Sequence, residues 1–333
     1  MPTVHLADII QGTAVVEQLD VKDLAPGHHQ FWFQAGTNAL AQPQLLPVSV
    51  LKGEMDGPRV MITAGVHGDE LNGVLAAHEM IRSLQAKSIK GTITVVSMIN
   101  TTGMLRHSRD FFSSDPDASP TNLNRFFPGN PQGDAAHRFI DCVWTKLLRP
   151  NADCAIDLHT QTSGAVYPLY VFADFRLPEA LQMARLMNAD CILDDPGDAG
   201  VLETVWNNSG IPSITVEVGM GKITQPDLIN RAVEGMQNIL KFVGMLEGEP
   251  QAASAECMEG RSIVSIRAHQ GGLVLPEVEL LSEVTEGTVV AKQYNAFGDL
   301  IDTYTAPQAG KVLSYNVDAM REPGALVVRL LCK

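Results

Sequence analysis

The sequence predicts an α/β fold: a mixed, mostly parallel sheet flanked by helices, followed by a small all-β domain at the C-terminal end. Strand and helix patterns alternate between residues 58 and 246, which is typical of such a sheet with helices on both faces. Residues 248–259 are polar and rich in small side chains, as in a linker. Beyond residue 261 only short strand patterns separated by glycine turns occur. We therefore predict two domains, 1–250 and 260–333.

The segment before residue 58 predicts strands and turns. Apolar and aromatic residues favour β pairing at the edge of the sheet over residues 31–36 and 45–51. The glycine-containing segments 27–29 and 53–57 are interpreted as turns, which places His28 and His29 in an exposed loop.

The alternating region follows. Apolar runs rich in β-branched residues predict strands at 59–66, 92–99, 152–158, 167–172 and 214–218. Apolar residues at helical spacing predict helices at 69–85, 135–148, 178–188 and 227–246. Residues 101–133 form a long polar segment, and a loop of this length in a compact domain is usually functional or disordered. In the C-terminal domain, strands are predicted at 262–268, 272–275, 289–293, 310–315 and 326–331.

The composition is that of an acidic globular protein. The chain has 333 residues, of which 45% are hydrophobic and 19% charged, enough for one large and one small domain. Its formal net charge of −14 argues against binding to nucleic acid or an anionic membrane surface. The 5 cysteines are scattered without a C-x-x-C pair, and no export signal or membrane-length apolar run is visible. We therefore expect a cytoplasmic protein with no nucleic-acid or membrane partner.

His67 and Glu70 lie where a predicted strand ends and a predicted helix begins. In an open α/β sheet, ligands bind at this edge. An imidazole and a carboxylate three residues apart can bind one metal ion from such a turn, and Gly65 and Gly68 allow the backbone to bend tightly. A His-x-x-Glu pair alone is weak evidence, because a solvated turn with acidic residues at a helix N-terminus would have the same pattern.

Two later strands carry further polar residues. His159 ends an apolar strand, and Asp157 lies on the same side of that strand, where its carboxylate could orient the imidazole. Glu217 lies within another apolar strand, where burying a carboxylate is costly and is enriched at functional sites. The alternatives are a hydrogen-bonded structural histidine and a buried ion pair with an arginine or lysine.

Asn124 and Arg125 lie in the long polar loop, with Arg106 and Arg109 upstream of them. Amide donors and a guanidinium fork suit a substrate carboxylate. Arginines in surface loops usually have no specific role, so each of these residues gains meaning only from the rest of the pattern.

Together these residues form a complete hydrolase set. Two histidines and one glutamate are the three protein ligands of a catalytic zinc site that keeps one position open for water. Zinc lowers the pKa of bound water to about 7, so the remaining Glu217 could take its proton as general base. An arginine could stabilise the oxyanion that forms on the attacked carbonyl.

Four stretches together resemble the succinylglutamate desuccinylase/aspartoacylase family, which has the zinc carboxypeptidase-like fold. They are Gly-Val-His67-Gly-Asp-Glu70, Asn-Leu-Asn124-Arg125-Phe-Phe-Pro-Gly, Asp157-Leu-His159-Thr and Val216-Glu217-Val-Gly219. They span residues 60–220, and the order of elements fits to residue 246. The family more often has Asp-Leu-Asn-Arg where this chain begins with Asn122, which we interpret as a residue that supports the loop.

The resemblance implies a role for each site residue. It implies that one Zn²⁺ per chain is bound by His67, Glu70 and His159, and that Glu217 is the general base. Asn124 and Arg125 would hold the carboxylate of the substrate. An upstream arginine would polarise the scissile carbonyl, and the spacing favours Arg109 over Arg106.

The C-terminal domain looks like the β barrel-sandwich domain related to biotinyl and lipoyl carriers. The similarity is carried by three stretches: Gly271-Gly272-Leu273, Phe297-Gly298-Asp299 and Ala306-Pro-Gln-Ala-Gly310-Lys311-Val. No Met-Lys or Asp-Lys hairpin tip is present, and Lys311 begins a strand, so we do not expect a carrier function. The domain would instead narrow access to the zinc site or mediate assembly.

The resemblance implies a zinc-dependent deacylase that cleaves the amide bond of an N-acyl amino acid or a related N-acyl amine. The alternative is a metallocarboxypeptidase acting on small peptides, which would use the same zinc set and Arg125. A binding protein that keeps the fold without turnover is a third hypothesis, against which the intact His67, Glu70, His159 and Glu217 argue. The partner is then a small N-acyl molecule, and homo-oligomer formation is left open.

Overall fold

The computed structural model describes residues 2–85, 87–251 and 256–333. Its first twelve strands are β1 (Val4–Ile10), β2 (Thr13–Gln18), β3 (Gly27–Thr37), β4 (Pro43–Lys52), β5 (Met55–Ala64), β6 (Lys90–Val96), β7 (Cys154–Gln161), β8 (Ala165–Val166), β9 (Leu169–Ala173), β10 (Cys191–Asp194), β11 (Ser213–Met220) and β12 (Met258–Gly260). All of them except β8 form one sheet of 11 strands in the order β1-β2-β3-β4-β6-β5-β7-β11-β9-β10-β12. The pairs from β6 through β5 and β7 to β11 are parallel, whereas β3–β4, β4–β6 and β9–β11 are antiparallel. The predicted mixed sheet, with mostly parallel pairs, is therefore confirmed.

Helices cover both faces of this sheet. They are α1 (Leu71–Leu84), α2 (Thr101–Met104), α3 (Ala135–Val143), α4 (Pro178–Leu186), α5 (Leu202–Asn208) and α6 (Pro226–Phe242). Side chains of β5 alternate between two cores: Val60 and Ile62 pack with α1, α4 and α6, whereas Met61 packs with α3 and α5. This alternation follows from the two-residue period of a strand, and burial on both faces explains why β5 reads as a continuous apolar run.

The C-terminal region is all β. Its strands are β13 (Ser262–Arg267), β14 (Gly272–Pro276), β15 (Glu283–Val284), β16 (Val289–Tyr294), β17 (Leu300–Thr305), β18 (Gly310–Asn316), β19 (Met320–Arg321) and β20 (Leu326–Cys332). They form two small antiparallel sheets around a separate core that includes Val274, Val290, Val312 and Val328. Strand β8, which follows β7, pairs with β18, so the chain leaving the large sheet is built into the C-terminal region. In the rest of this article these residues, 262–332, are called the β module.

Several local predictions differ from the structure. Residues 27–29 begin strand β3 and do not form a turn, because His28 and His29 pair with Leu51 and Val50 of β4. The predicted helix over 135–148 ends at Val143 and continues as a π-helical turn over Trp144–Leu148. Strands β1 and β2 lie in the segment predicted to form strands and turns, but without bounds. Short elements that were not predicted have too few residues or too mixed a polarity to give a clear period; they are β8, β10, β12, β15, β17, β19, α2 and α5. Of the predicted linker 248–259, residues 252–255 lie outside the described residues, and β12 occupies its end.

None of the helices in the described ranges combines the length and the apolar character that crossing a membrane requires.

Asn72 joins three elements at the carboxyl edge of the sheet. On α1 and 1% exposed, it donates from Nδ2 to the carbonyl of Val218 on β11 (2.9 Å) and to Gln225 Oε1 (3.3 Å). Its Oδ1 accepts from the backbone N–H of Gln225, just before α6 (3.2 Å). The amide therefore holds the start of α1 against the strand that carries Glu217.

We expect Asn72→Ala to lower the free energy of unfolding by about 2–4 kcal/mol, because buried backbone groups of Val218 and Gln225 lose their partners. Urea denaturation followed by circular dichroism measures the change. Asn208→Ala, at an exposed position at the end of α5, is the matched control and should shift stability by less than about 0.5 kcal/mol. Equal unfolding free energies for the two variants would contradict this role.

Candidate active site

The turn between β5 and α1 carries His67 and Glu70, as predicted. Gly65 has a φ of +68°, which favours glycine, and a Cβ at Gly68 would lie 2.3 Å from the backbone of Gly103 and Met104. The tight turn directs both functional side chains inward, where they are 2% and 1% exposed respectively.

His159 and Glu217 reach the same edge from neighbouring strands. His159 lies near the end of β7 and Glu217 on β11, and the two residues are direct partners in this parallel pair. Both are buried. Because the carboxyl ends of parallel strands meet at one edge of a sheet, the strands bring together residues far apart in sequence.

Two imidazoles and one carboxylate converge at this edge. Nδ1 of His67 lies 2.9 Å from Oε1 of Glu70, and Nδ1 of His159 lies 2.8 Å from Oε2 of Glu70. The two Nδ1 atoms are 3.1 Å apart. The three residues could hold one metal ion, each offering one ligand atom.

The outer ring nitrogens fix which nitrogen of each histidine can bind a metal. Asn122 Oδ1 accepts the backbone N–H of Asn124 (2.9 Å), so this atom is the oxygen, and His67 Nε2, 2.9 Å away, must donate to it. His159 Nε2 donates to Asp157 Oδ2 (2.8 Å), and Asp157 Oδ1 accepts from Thr63 Oγ1 (2.6 Å). Each imidazole therefore carries a proton on Nε2 and turns Nδ1, the nitrogen that could bind a metal, toward the centre. The predicted contact between Asp157 and His159 is confirmed.

The charges at the centre favour a cation. Burial acts to raise the pKa of Glu70, but His67 and His159 outweigh burial, and the pKa lies well below its ordinary value. Burial acts to lower the pKa of His159, but Asp157 and Glu70 raise this pKa well above its ordinary value. A carboxylate that stays ionised in a buried site and an imidazole that favours its charged form both indicate that this centre attracts a positive charge. This nitrogen and oxygen donor set fits a divalent ion of the zinc type.

Glu217 is a buried carboxylate without a cationic partner among the described ion pairs, so the alternative of a buried salt bridge does not hold. Its Oε1 accepts from Gln161 Nε2 (2.8 Å), and its Oε2 is buried without a hydrogen-bond partner. Burial, with a smaller contribution from Glu70, raises the pKa of Glu217 to about 8. A carboxyl group with one free oxygen and a raised pKa is suited to exchange protons near neutral pH.

The structure distinguishes the two upstream arginines. Arg109 Nη1 donates to Glu70 Oε1 (2.5 Å), and its carbonyl accepts from the N–H of Gly68, which holds this part of the long loop against the turn. Arg106 instead lies over the ring of Phe112, 4.1 Å from its centroid, and lines a separate cavity of about 990 Å³. Only Arg109 therefore lies beside the ligand cluster.

Asn124 and Arg125 form a short helical turn on the opposite wall. Asn124 Oδ1 accepts the N–H of Leu202 at the start of α5 (2.8 Å), so its Nδ2 group remains available as a donor. Arg125 is exposed and donates from Nη1 to the carbonyl of Asn124 (2.6 Å).

All seven predicted site residues line one cavity of about 280 Å³; they are His67, Glu70, Arg109, Asn124, Arg125, His159 and Glu217. Sequence reasoning missed Gln161, although it follows Asp157 and His159 at the same two-residue spacing on β7. It also missed Glu203, whose pKa burial raises well above its ordinary value, and Arg329 of the β module. No local pattern distinguished the last two.

The sequence is similar to characterised enzymes. The succinylglutamate desuccinylase/aspartoacylase catalytic domain matches residues 56–243. The N-alpha-acetyl-L-2,4-diaminobutyric acid deacetylase of Halomonas elongata is 29% identical over 270 residues, covering 75% of this chain and 74% of that protein. The succinylglutamate desuccinylase of Pseudomonas syringae is 24% identical over 258 residues, covering 71% of this chain and 73% of that protein.

Solved structures share the fold. The product-bound ectoine utilization protein EutE (DoeB) of Ruegeria pomeroyi superposes with a TM-score of 0.82 at 23% identity, covering 93% of this chain and 97% of that chain. A succinylglutamate desuccinylase/aspartoacylase of Rhodobacter sphaeroides gives a TM-score of 0.82 at 20% identity, covering 95% and 97%. The shared fold therefore includes the β module.

We expect Asn122→Leu to weaken Zn²⁺ binding by about 10- to 100-fold, because His67 Nε2 loses the acceptor that fixes its ring. Asn122→Asp keeps an acceptor at the same place and should bind Zn²⁺ at least as tightly as the unchanged protein. Competition with a chromophoric chelator measures the affinities. If all three proteins bound Zn²⁺ equally, the orientation of His67 would not depend on Asn122.

Proposed function

This chain belongs to the succinylglutamate desuccinylase/aspartoacylase family, and from this membership we propose that it is a zinc-dependent hydrolase. The proposed reaction cleaves the amide bond of an N-acyl amino acid or a related N-acyl amine. The observation that carries the proposal is the convergence of two Nδ1 atoms and Glu70 beside a carboxylate oxygen of Glu217 that has no partner. The names of the two curated relatives support it, since a deacetylase and a desuccinylase both remove an acyl group.

We assign the metal to His67, Glu70 and His159, which would hold one Zn²⁺ per chain. When bound, Zn²⁺ supplies Lewis acidity, which polarises a carbonyl and makes water acidic enough to lose a proton near neutral pH. Asn122 and Asp157 keep both imidazoles in the tautomer that this role needs.

Glu217 is the proposed general base. Its free Oε2 takes a proton from the attacking water, and the same oxygen then delivers a proton to the departing nitrogen. Gln161 holds Oε1 and so keeps Oε2 directed toward the reaction. The low exposure of Glu217, 6%, keeps bulk water from competing for the proton.

Three residues of the long loop position the substrate in this proposal. Arg109 has N–H groups beyond the one that donates to Glu70, and these can stabilise the negative charge that develops on the carbonyl oxygen. Arg125 and the amide of Asn124 hold the carboxylate of the substrate, since a guanidinium fork matches a carboxylate in geometry and charge.

A metallocarboxypeptidase acting on small peptides is the second candidate, because it would use the same ligands and Arg125. The cavity has a volume of about 280 Å³, at the lower end of ligand pockets, and Arg329 of the β module forms part of its wall. A cavity of this size favours a small acylated molecule over a peptide.

We further propose a division into a catalytic domain, 1–250, and a barrel-sandwich domain of the biotinyl/lipoyl type, 260–333. Two small antiparallel sheets around their own core support it. Lys311 is the second residue of β18 and donates to the carbonyl of Glu256, which fits a structural role better than a carrier role. A cytoplasmic location is supported by five cysteines that are all free, and homo-oligomer formation is left open.

We expect Glu217→Gln to lower kcat by about 100- to 10,000-fold, since an amide cannot accept the proton of water. The bound zinc should remain at one ion per chain. Glu234→Gln, at an exposed position on α6, is the matched control and should keep full turnover. Steady-state kinetics and elemental analysis on the same samples provide the readouts. Full turnover by Glu217→Gln would contradict the assignment.

Removing the metal with a strong chelator should abolish hydrolysis, and added Zn²⁺ should restore it, because the ligand set has no other source of Lewis acidity. The substrates are a panel of N-acetyl and N-succinyl amino acids and diamines, with products identified by mass spectrometry. A free acid and an amine are the expected products. Release of two peptide fragments from a small peptide would favour the carboxypeptidase instead, and activity indifferent to the chelator would contradict metal dependence.

A further inference from the structure

A second cavity opens beside the first, at the seam between the large sheet and the β module. It has a volume of about 240 Å³. Its walls are residues 162–165 after β7, Tyr167, Leu326 and three arginines of the β module: Arg267, Arg321 and Arg329. Thr162 and Arg329 line both cavities, so the two are neighbours.

The three guanidinium groups have only neutral partners. Arg267 Nη1 donates to the carbonyl of Gly324 (2.9 Å), Arg321 Nη2 to the carbonyl of Gly164 (3.0 Å), and Arg329 Nη1 to the hydroxyl of Tyr167 (3.1 Å). Within the described ranges, none of the three forms an ion pair with a carboxylate. The Nε atoms of Arg321 and Arg329 are buried without a hydrogen-bond partner.

This arrangement is unfavourable without a ligand. Three like charges around one small cavity repel each other, and each buried N–H without an acceptor carries the cost of its lost hydration. Acidic residues outnumber basic ones in this chain, 38 to 24, so carboxylates that could neutralise the arginines are plentiful, yet no carboxylate lines the cavity. The arginines lack the anion that their geometry calls for.

We propose that this cavity is a carboxylate-binding subsite. Guanidinium groups bind planar oxyanions in a bidentate manner, and the three around this cavity have no carboxylate partner among the described residues. The volume suits the end of a small acid. The ligand is either a carboxylate on the substrate in the neighbouring cavity or a separate small carboxylic acid.

The first test measures binding without turnover. Full-length, zinc-loaded protein is titrated with succinate by calorimetry at constant ionic strength, with NaCl in place of succinate as the reference. We expect Arg321→Gln and Arg267→Gln to weaken succinate binding at least tenfold. Lys292→Gln removes one positive charge from the β module outside the cavity and should bind succinate like the unchanged protein.

Arg267 is exposed, so Arg267→Gln is expected to fold even if Arg321→Gln does not, and circular dichroism checks both. Arg321→Lys keeps the positive charge but lacks the guanidinium fork, so its affinity for succinate should lie between that of the unchanged protein and that of Arg321→Gln. Absence of saturable succinate binding, or an affinity equal in all these variants, would overturn the proposal.

The second test identifies the source of the carboxylate, and this arm alone rests on the proposed function. The substrates are the N-acetyl and N-succinyl derivatives of one amino acid. If the subsite holds a carboxylate of the substrate, Arg321→Gln should raise KM tenfold or more for the succinyl compound only and leave kcat unchanged. If the subsite holds a separate acid, Arg321→Gln should change KM equally for the two compounds. Added succinate should then change the rate of the unchanged protein but not that of Arg321→Gln. No change in either quantity would count against the subsite. Failure to hydrolyse any N-acyl compound would refute the proposed function and leave the calorimetric result standing.

Discussion

The constraint on which this structure depends is the position of the two Nδ1 atoms of His67 and His159, which are held 3.1 Å apart beside the buried carboxylate of Glu70. Such an arrangement is stable only if both outer nitrogens are tied down and a positive charge lies between the inner ones. Asp157, itself held by Thr63, ties His159 with a carboxylate, whereas Asn122 ties His67 with a neutral amide. The two histidines are therefore unequal, because a carboxyl partner makes an imidazole a stronger electron donor than an amide partner does.

This constraint explains which elements must be rigid. His159 is carried by a strand that pairs in parallel on both sides, with β5 and with β11, so its position cannot shift without disrupting the centre of the sheet. His67 and Glu70 lie on a turn, and the turn is fixed by close packing of Gly68 against the long loop. The loop in turn presents Arg109. The packing of Gly68 against the long loop therefore sets both the positions of His67 and Glu70 and the position of Arg109.

The sequence was sufficient for the parts of the site that local patterns encode. His67 and Glu70 follow an apolar strand, His159 lies near the end of a second and Glu217 lies within a third. These positions, together with the resemblance to the family's motifs, made all four residues candidates. The contact of Asn122 with His67 could not be predicted, since the path of the long loop depends on tertiary packing. Helix α5 was missed because seven residues are too few for a helical period. The barrel-sandwich interpretation of the β module still rests on its glycine and strand pattern.

The contribution of the β module was the least predictable feature, because it depends on how two separate cores meet. Arg329 lies on β20, and strand β8 joins the module to the segment that follows His159. An acidic chain repels anionic ligands at long range, but clefts lined by one sign of charge concentrate ions of the other sign locally. Three arginines of the module create such a field in the second cavity, which no carboxylate lines, whereas the first cavity has both acidic and basic residues in its walls. In the proposed subsite, this local excess of positive charge on a protein of net charge −14 would favour a small carboxylate in the second cavity over the surrounding surface.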